Sequence, residues 1–281
     1  MNKLEIGFVG EGWGAVAAIK SLKYFFDIHY CSNDENVINE LIDLESSIRI
    51  YNLDEFNVHH IVFAGYTKIV DNDIILKHNI INIHYSLLPK YRGLHSTAWS
   101  IINNEKELGI SIHLMNKFID DGPILFQKAF ENDFVSTASD YMLKMNKYIE
   151  NNLGKILIKY FDGNITPVAQ NKKNASWVGK RGEKHNKINF NQNNEFIKRL
   201  FRVLNPPYPF PHFYYKNEIY YVHKVEFFSS NIETDISRIL NIDDDGVWVK
   251  SKDGYVIMKQ IFDNKNLEID LNFFTIGSYL K

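Results

Sequence analysis

The fold of this 281-residue chain is decided by one stretch, which reads Asn79-Ile80-Ile81-Asn82-Ile83-His84-Tyr85-Ser86-Leu87-Leu88-Pro89-Lys90-Tyr91-Arg92-Gly93. Its apolar part predicts a short buried strand, because branched side chains fit a pleated sheet. Asn82 and His84 are two positions apart, so both side chains point to one face of that strand. The Pro and Gly residues that follow predict a loop. Because open α/β sheets bind ligands at the carboxyl ends of their strands, we expect a site here.

Strand and helix patterns alternate over the first 160 residues or so. Predicted strands cover 4–9, 28–31, 60–64, 80–84, 109–115 and 123–129, and predicted helices cover 16–26, 35–43, 72–77, 94–104 and 141–160. The strand at 109–115 alternates apolar and polar residues, which predicts one exposed face. Alternation of strands with helices predicts an α/β fold of the Rossmann-like kind, with a mostly parallel sheet and helices on both faces.

The composition changes near Gly163. Residues 163–195 are polar, basic and rich in Asn, and a helix is predicted over 193–204. From residue 205 the pattern is strand-like, and Asp253-Gly254 is a typical hairpin turn. We therefore predict a catalytic domain over 1–162, a linker with a helix over 163–204, and a small β-rich module over 205–281.

Overall composition favours a soluble globular protein, with 45% apolar residues, 23% charged residues and a net charge of −2. The segment 172–202 holds nine basic and two acidic residues, which could face phosphates or simply form a solvated surface. Cys31 is the only cysteine, which excludes a disulfide within the chain. With no apolar run near the roughly 20 residues that span a bilayer, and no secretory signal pattern, we expect a cytoplasmic protein without membrane contact.

A glycine-rich turn offers a competing interpretation. Gly10, Gly12 and Ala15 follow the first strand in the form of a dinucleotide-binding fingerprint. Asp34 stands about where that fingerprint places its ribose-binding acid. An NAD-dependent oxidoreductase is therefore one alternative, and a turn for another anionic ligand, or a simple tight turn, is the other.

Three polar residues could perform acyl-transfer chemistry together. The amide of Asn82 could stabilise an oxyanion, and His84 could move a proton near neutral pH. Asp120 could orient the imidazole or handle the proton itself. The chain has no Ser or Cys nucleophile in a recognisable elbow, which favours direct transfer between two bound substrates. The alternative is that His84 is a hydrogen-bonded core residue.

The motifs around these residues resemble the N10-formyltetrahydrofolate-dependent formyltransferases, a family that includes methionyl-tRNA formyltransferase, glycinamide ribonucleotide transformylase and the sugar N-formyltransferases. They are Asn82-Ile83-His84, Leu87-Leu88-Pro89-Lys90-Tyr91-Arg92-Gly93 and Asp120-Asp121-Gly122-Pro123-Ile124-Leu125. The resemblance covers roughly residues 1–160. It implies an enzyme whose catalytic residues are Asn82, His84 and Asp120, with Asp121 as the competing acid.

The resemblance also implies the cosubstrate and the mechanism. N10-formyltetrahydrofolate would bind against the loop that contains Lys68, Ile69 and Val70, and Asp120 would contact it as well; no metal is implied. An amine would attack the formyl carbon, while Asn82 and a protonated His84 stabilise the oxyanion. Asp120 would hold His84 and help to relay the proton to the leaving nitrogen.

The implied acceptor is a nucleotide-linked amino dideoxy sugar, since the chain is most similar to the sugar N-formyltransferases. We expect a dTDP sugar with a 3- or 4-amine, used in O-antigen assembly, with contacts from Gly12, Trp13, Lys180, Arg181 and Tyr208. An aromatic hairpin at 213–222 predicts a homodimer interface or, equally, a small core. The alternative acceptor is methionyl-tRNA, which the negative net charge and the acidic run 243–245 disfavour.

Overall fold

The computed structural model describes residues 3–281, and these form two compact units. The first unit contains the chain up to Ser100 together with Glu105–Asn132 and Asp140–Lys180. The second contains Ile101–Asn104, Asp133–Ser139 and Arg181–Lys281. The predicted linker is therefore divided, because residues 163–180 belong to the first unit and residues 181–204 to the second.

One seven-stranded sheet forms the centre of the first unit. Its strands are β1 (Leu4–Gly10), β2 (Phe26–Cys31), β3 (Ser47–Arg49), β4 (His60–Ala64), β5 (Asn79–His84), β7 (Glu107–Leu114) and β8 (Ile124–Glu131), and the short β6 (Arg92–Gly93) pairs separately with β9 (Trp177–Val178). The order across the sheet is β3-β2-β1-β4-β5-β7-β8. The five strands from β3 to β5 in this order are parallel to one another. β7 is antiparallel to both of its neighbours, β5 and β8. The predicted mostly parallel sheet is confirmed.

The helices follow the strands in the predicted alternation. They are α1 (Gly12–Leu22), α2 (Glu35–Asn39), α3 (Asn72–Lys77), α4 (Ser96–Ile102), α5 (Ala138–Phe161) and α6 (Asn194–Val203). α2 is shorter than the predicted 35–43. The residues after it form turns, in which the Ser47 hydroxyl donates to the carbonyls of Leu41 and Leu44. Local side-chain bonds of this kind compete with helix hydrogen bonds.

The core of the first unit surrounds β4 and β5. Ile61, Phe63 and Ile80 are buried there with Val70 and Ile74 from the following loop and helix. The prediction that β7 has an exposed face is wrong. Ser111 and His113 are buried as completely as Ile110 and Ile112, so both faces of the strand are covered there.

The second unit contains the predicted β-rich module. Its five antiparallel strands are β10 (His212–Tyr215), β11 (Glu218–Ser229), β12 (Ile239–Asp243), β13 (Gly246–Ser251) and β14 (Gly254–Phe262), in the order β10-β11-β14-β13-β12. The predicted Asp253-Gly254 turn joins β13 to β14, where Ser251 pairs with Gly254. α6 begins after Asn193, whose side chain accepts a hydrogen bond from the N–H of Phe196 as an N-cap.

The aromatic hairpin β10–β11 packs within its own unit. Phe213, Tyr215 and Tyr220 are buried, and their rings contact Phe273 and Phe274 near the end of the chain. Of the two interpretations of this hairpin, the small core is the one the structure supports. Homodimerisation stays a prediction, but these rings no longer argue for it.

Across residues 3–281, no helix has both the length and the apolar character needed to cross a lipid bilayer.

Candidate active site

The end of β5 brings the three predicted catalytic residues together. Asp120 Oδ2 lies 3.5 Å from His84 Nδ1, and Asp120 Oδ1 lies 3.4 Å from the amide nitrogen of Asn82. His84 and Asp120 are both largely shielded from solvent, with side chains 8% and 12% exposed. An amide and an imidazole from β5 therefore meet a carboxylate from a distant part of the sequence.

The loop after β5 fixes the orientation of the His84 ring. The Ser111 hydroxyl on β7 donates to the Ser86 carbonyl (2.6 Å) and accepts the N–H of Leu88 (3.0 Å), which holds the proline-containing loop against the sheet. The loop then places the Tyr91 carbonyl 2.8 Å from His84 Nε2. Because a carbonyl oxygen can only accept a hydrogen bond, Nε2 must carry the proton. In the neutral ring Nδ1 is then unprotonated, and its lone pair is on the side of Asp120.

Asp120 lies in a tight turn between β7 and β8. Its backbone is left-handed, with φ of +50°, which is uncommon for a residue other than glycine. Gly122 follows where a Cβ would collide with the carbonyl of Leu114, so the turn needs a glycine there. The N–H of Gly93 donates to Asp120 Oδ2 at 2.8 Å. The Asp-x-Gly spacing thus has a direct structural cause.

The carboxylate of Asp120 is held in its charged form. Burial alone would raise its pKa, but the neighbouring His113 and His84 rings and the hydrogen bond from the Gly93 N–H outweigh burial and lower the pKa to about 2. Asp120 is therefore an anion at neutral pH. A buried anion beside two imidazoles can stabilise a positive charge that forms on either ring.

The surroundings of His84 favour the neutral ring. Burial lowers the pKa of His84, and this effect exceeds the opposing attraction of Asp120. The protonated His84 expected from the family resemblance is therefore not the resting form. A neutral imidazole with Nδ1 unprotonated is instead suited to accept a proton.

His113 is a member of the cluster that the sequence did not single out. It stands opposite Asn82 in the β5–β7 register, and its Nε2 lies 3.2 Å from the Asn82 amide nitrogen and 3.4 Å from Asp120 Oδ1. Nδ1 donates to the carbonyl of Leu114, so Nε2 can accept from Asn82. The sequence showed His113 as one of the polar residues of this alternating strand, but it did not show that His113 pairs with Asn82.

The predicted folate loop follows β4. Ile69 is 86% exposed and Lys68 is exposed as well, whereas the Val70 side chain is buried in the core. Any contact of Val70 with a ligand would therefore involve its backbone. These positions stay predictions.

The glycine-rich turn before α1 is occupied by the protein itself. The N–H of Gly12 donates to Asp34 Oδ2 at 2.6 Å, and a Cβ at Gly65 would meet the carbonyl of Glu11. The acid that a dinucleotide site would offer to a ribose is here bound to the helix start, and this hydrogen bond lowers its pKa. The geometry disfavours an oxidoreductase. Trp13, on the first turn of α1, is 45% exposed.

The other predicted substrate contacts are divided between the two units. Lys180 is exposed and ends the first unit, whereas Arg181 begins the second, is buried, and donates from Nη2 to the His185 carbonyl at 2.7 Å. Tyr208, also in the second unit, is 40% exposed. Arg181 thus has an internal structural role, and all three stay predictions as ligand contacts.

Within residues 3–281, no set of three His, Cys, Asp or Glu side chains has the arrangement of a metal site. The cluster at the end of β5 has the parts needed for acyl transfer to an amine: a proton acceptor, an anion beside it, and an amide donor.

Comparisons with known proteins agree with this chemistry. Residues 43–156 match the family described as "Formyl transferase", and residues 182–276 match "Formyl transferase, C-terminal domain". The methionyl-tRNA formyltransferase of Clostridium tetani is 32% identical over 207 residues, 72% of this chain and 65% of the relative. The Finegoldia magna enzyme is 30% identical over 214 residues, 74% and 68% of the two chains. This chain thus spans about two thirds of these relatives.

A solved structure shares the fold over nearly the whole chain. It is the N-formyltransferase from Helicobacter canadensis in complex with folinic acid and dTDP-3-aminofucose, which superposes with a TM-score of 0.72 at 20% identity and covers 92% of this chain and 100% of its own. The two family matches, the relatives and the cluster at the end of β5 together show that this chain belongs to the formyl transferase family, enzymes that transfer formyl groups.

Proposed function

We propose that this protein transfers a formyl group from N10-formyltetrahydrofolate to the amine of a nucleotide-linked amino dideoxy sugar, a dTDP sugar in particular. The observation that carries the proposal is the convergence of Asn82, His84 and Asp120 at the end of β5. Neutral imidazole, carboxylate and amide are the groups that direct transfer from one nitrogen to another requires.

The geometry supports a specific course for the reaction. The acceptor amine attacks the formyl carbon and forms the new C–N bond, and His84 Nδ1 takes the proton that the amine loses. Asp120 stabilises the resulting imidazolium, which then returns the proton to N10 as the old C–N bond breaks. The charge on His84 thus arises during the reaction.

Asn82 is the proposed oxyanion donor. Its amide nitrogen is 3.4 Å from Asp120 Oδ1, longer than the usual 2.7–3.2 Å of a hydrogen bond. A formyl oxygen that becomes negatively charged would be a stronger acceptor at that hydrogen. The contact with His113 at 3.2 Å keeps the amide oriented meanwhile.

The cosubstrate is proposed to bind beside the loop after β4. Lys68, Ile69 and Val70 lie there, and the exposed Ile69 offers apolar surface to a pterin. The Helicobacter canadensis N-formyltransferase is in complex with folinic acid, a folate compound. Asp120 would face the formyl-bearing nitrogen, and no metal is part of the proposal.

A sugar nucleotide is supported as the acceptor by the charges. Several cations of the basic segment 172–202 are already bound to the protein: Lys172 to Asp121, and Arg181, Arg199 and Arg202 to backbone carbonyls. Binding of tRNA depends on many cations that face phosphates. A single diphosphate requires few, and the Helicobacter canadensis N-formyltransferase, which is in complex with dTDP-3-aminofucose, shares its fold over 92% of this chain.

Contacts with the sugar nucleotide are proposed for the residues predicted from the sequence. Trp13 and Tyr208 offer exposed rings for stacking, and Lys180 offers an exposed ammonium for a phosphate. Gly12 and Arg181 are weaker members of this set, because both already donate within the protein. O-antigen assembly in the cytoplasm is the proposed setting.

A second candidate is methionyl-tRNA formyltransferase. It is favoured by the sequence relatives, since both matched enzymes from Clostridium tetani and Finegoldia magna carry that name. The same chemistry at Asn82, His84 and Asp120 would serve either amine.

One assay separates the two candidates. The purified protein is given N10-formyltetrahydrofolate with dTDP-3-amino and dTDP-4-amino dideoxy sugars or with initiator methionyl-tRNA, and formation of tetrahydrofolate is followed. We expect turnover with an amino sugar and none with the tRNA. Turnover with the tRNA alone would replace the proposed acceptor, and the Asp120→Asn variant serves as the inactive control in each case.

A further inference from the structure

The side chain of Gln170 bonds both ends of the turn that contains Asp120. Its Nε2 donates to the carbonyl of Asp120 and to the carbonyl of Gly122, each at 2.8 Å. Its Oε1 accepts from Arg92 Nε at 3.2 Å and from Arg92 Nη2 at 2.6 Å. The Gln170 amide therefore connects two residues of the turn, Asp120 and Gly122, to Arg92 of β6.

Arg92 continues the connection on the other side of the turn. Its side chain is 4% exposed, and Nη1 lies 2.6 Å from the carboxylate of Asp121. A buried Arg held by a carboxylate and an amide has a fixed position, because its fork of donors is rigid. Asp121, the competing acid, is thus committed to Arg92, and Asp120 alone faces His84.

The backbone around Gln170 is anchored to the same region. Val168 and Ile124 exchange two backbone hydrogen bonds of 2.8 Å at the start of β8. β9 pairs with β6, and the N–H of Arg92 donates to the Ser176 carbonyl at 2.9 Å. The segment 168–178 is therefore hydrogen-bonded to the start of β8 at one end and to β6 at the other. Gln170 lies between these two attachment points.

We propose that Gln170 is a positioning residue for formyl transfer, whose amide holds the 120–122 turn so that the Asp120 carboxylate faces His84 and the Gly93 N–H. This rests on the proposed function. The turn needs such a restraint, because Asp120 has a left-handed backbone that a non-glycine residue leaves readily. A small displacement of a catalytic group is costly, since 1 Å of misplacement can reduce a rate by about 10²-fold.

The sharpest test is Gln170→Glu, which keeps the side-chain shape and the acceptor for Arg92. It replaces the donor Nε2 with an oxygen that faces two carbonyls, so the turn loses its restraint while Arg92 keeps its partner. We expect kcat to fall by about 10²-fold, with KM for folate and for the acceptor changed by less than about 3-fold. A residue that only stabilised the fold would leave kcat per folded molecule unchanged.

Two further variants control the experiment. Gln260→Glu makes the same change at an exposed position on β14 and should leave kcat unaltered. Gln170→Met removes the donors without adding charge, so it answers the question if Gln170→Glu does not fold. If the folded Gln170 variants keep kcat within about 3-fold of the wild-type value, the proposal is wrong.

A crystal structure of the Gln170 variant separates this proposal from the proposed function. We expect the distance from His84 Nδ1 to Asp120 Oδ2 to lengthen from 3.5 Å by about 1 Å. An unchanged distance would overturn the positioning role whether or not the wild-type protein transfers formyl groups. Absence of wild-type turnover with every acceptor would overturn the function, and the distance would still decide the role of Gln170.

Discussion

Two aspartates of the first unit show how similar local bonds serve different ends. Asp34 accepts the N–H of Gly12 at 2.6 Å, and Asp120 accepts the N–H of Gly93 at 2.8 Å. Hydrogen bonds of this kind lower the pKa of both carboxyls. The two residues differ in what the other carboxylate oxygen of each contacts.

The second oxygen of Asp34 caps α2 by accepting the N–H of Asn36, whereas that of Asp120 faces His113 and Asn82. The partners of the Asp34 carboxylate are backbone N–H groups and the side-chain amide of Asn36, and such a carboxylate stabilises the chain. One that shares its surroundings with imidazoles can assist proton transfer. The surroundings of an acid, more than its motif, therefore separate a structural aspartate from a catalytic one.

Substitutions of Asp34 and Asp120 should affect turnover very differently if only Asp120 is catalytic. We expect Asp120→Asn to reduce kcat by about 10³-fold, because an imidazolium on His84 would lose its anion and the proton transfer would slow. The matched change Asp34→Asn should leave kcat within about 3-fold. Steady-state kinetics with the accepted substrate measures both, and similar losses would contradict the assignment.

A second expected loss concerns the oxyanion. Asn82→Ala should reduce kcat by about 10²- to 10³-fold, since it removes one donor aimed at a developing negative charge. Asn79→Ala, at the other end of β5, is the matched control and should keep kcat. Equal effects at both asparagines would indicate that Asn82 acts only through stability of the strand.

The dependence of kcat on pH, on the acid side, tests the role of His84 as a base. Because burial lowers its pKa, the neutral base persists below the ordinary value of about 6.5, and kcat should fall only as the pH drops through that lowered pKa. Asp120 raises the pKa of His84, so the residual activity of Asp120→Asn should have its limb at a still lower pH. A fall in kcat that begins above about pH 6.5 would show instead that His84 is protonated in the resting enzyme.

Ligand-induced stabilisation tests whether the Asp34 region binds a dinucleotide. A folate at 100 times its dissociation constant should stabilise the protein by about 2.7 kcal/mol and raise its melting temperature. NAD should produce no shift, because Asp34 already occupies the N–H of Gly12. A shift with NAD and none with folate would return the oxidoreductase to consideration.

The smallest expected effect is on stability alone. Asp34→Ala removes the cap of α2 and should lower the free energy of unfolding by about 1 kcal/mol. Asp244→Ala, at an exposed position in the turn between β12 and β13, should change it by less than about 0.5 kcal/mol. Denaturant titration measures both, and no difference between them would show that the cap contributes nothing.

Features that depend on local patterns could be predicted from the amino-acid sequence. Alternating strands and helices predicted the mostly parallel sheet, because each element buries its apolar residues with a characteristic period. The family resemblance carried by the motifs around Asn82, His84 and Asp120 predicted three of the clustered residues.

Only the tertiary structure decided which distant residues join that cluster and what the rest do. His113 meets Asn82 through antiparallel register, and Gln170 reaches the Asp120 turn from a segment whose composition read as linker. The resting charge of His84, the aromatic core of the β10–β11 hairpin and the commitment of Asp34 to α1 depend likewise on packing. Register, burial and long-range hydrogen bonds are properties of pairs of segments, so no single segment specifies them.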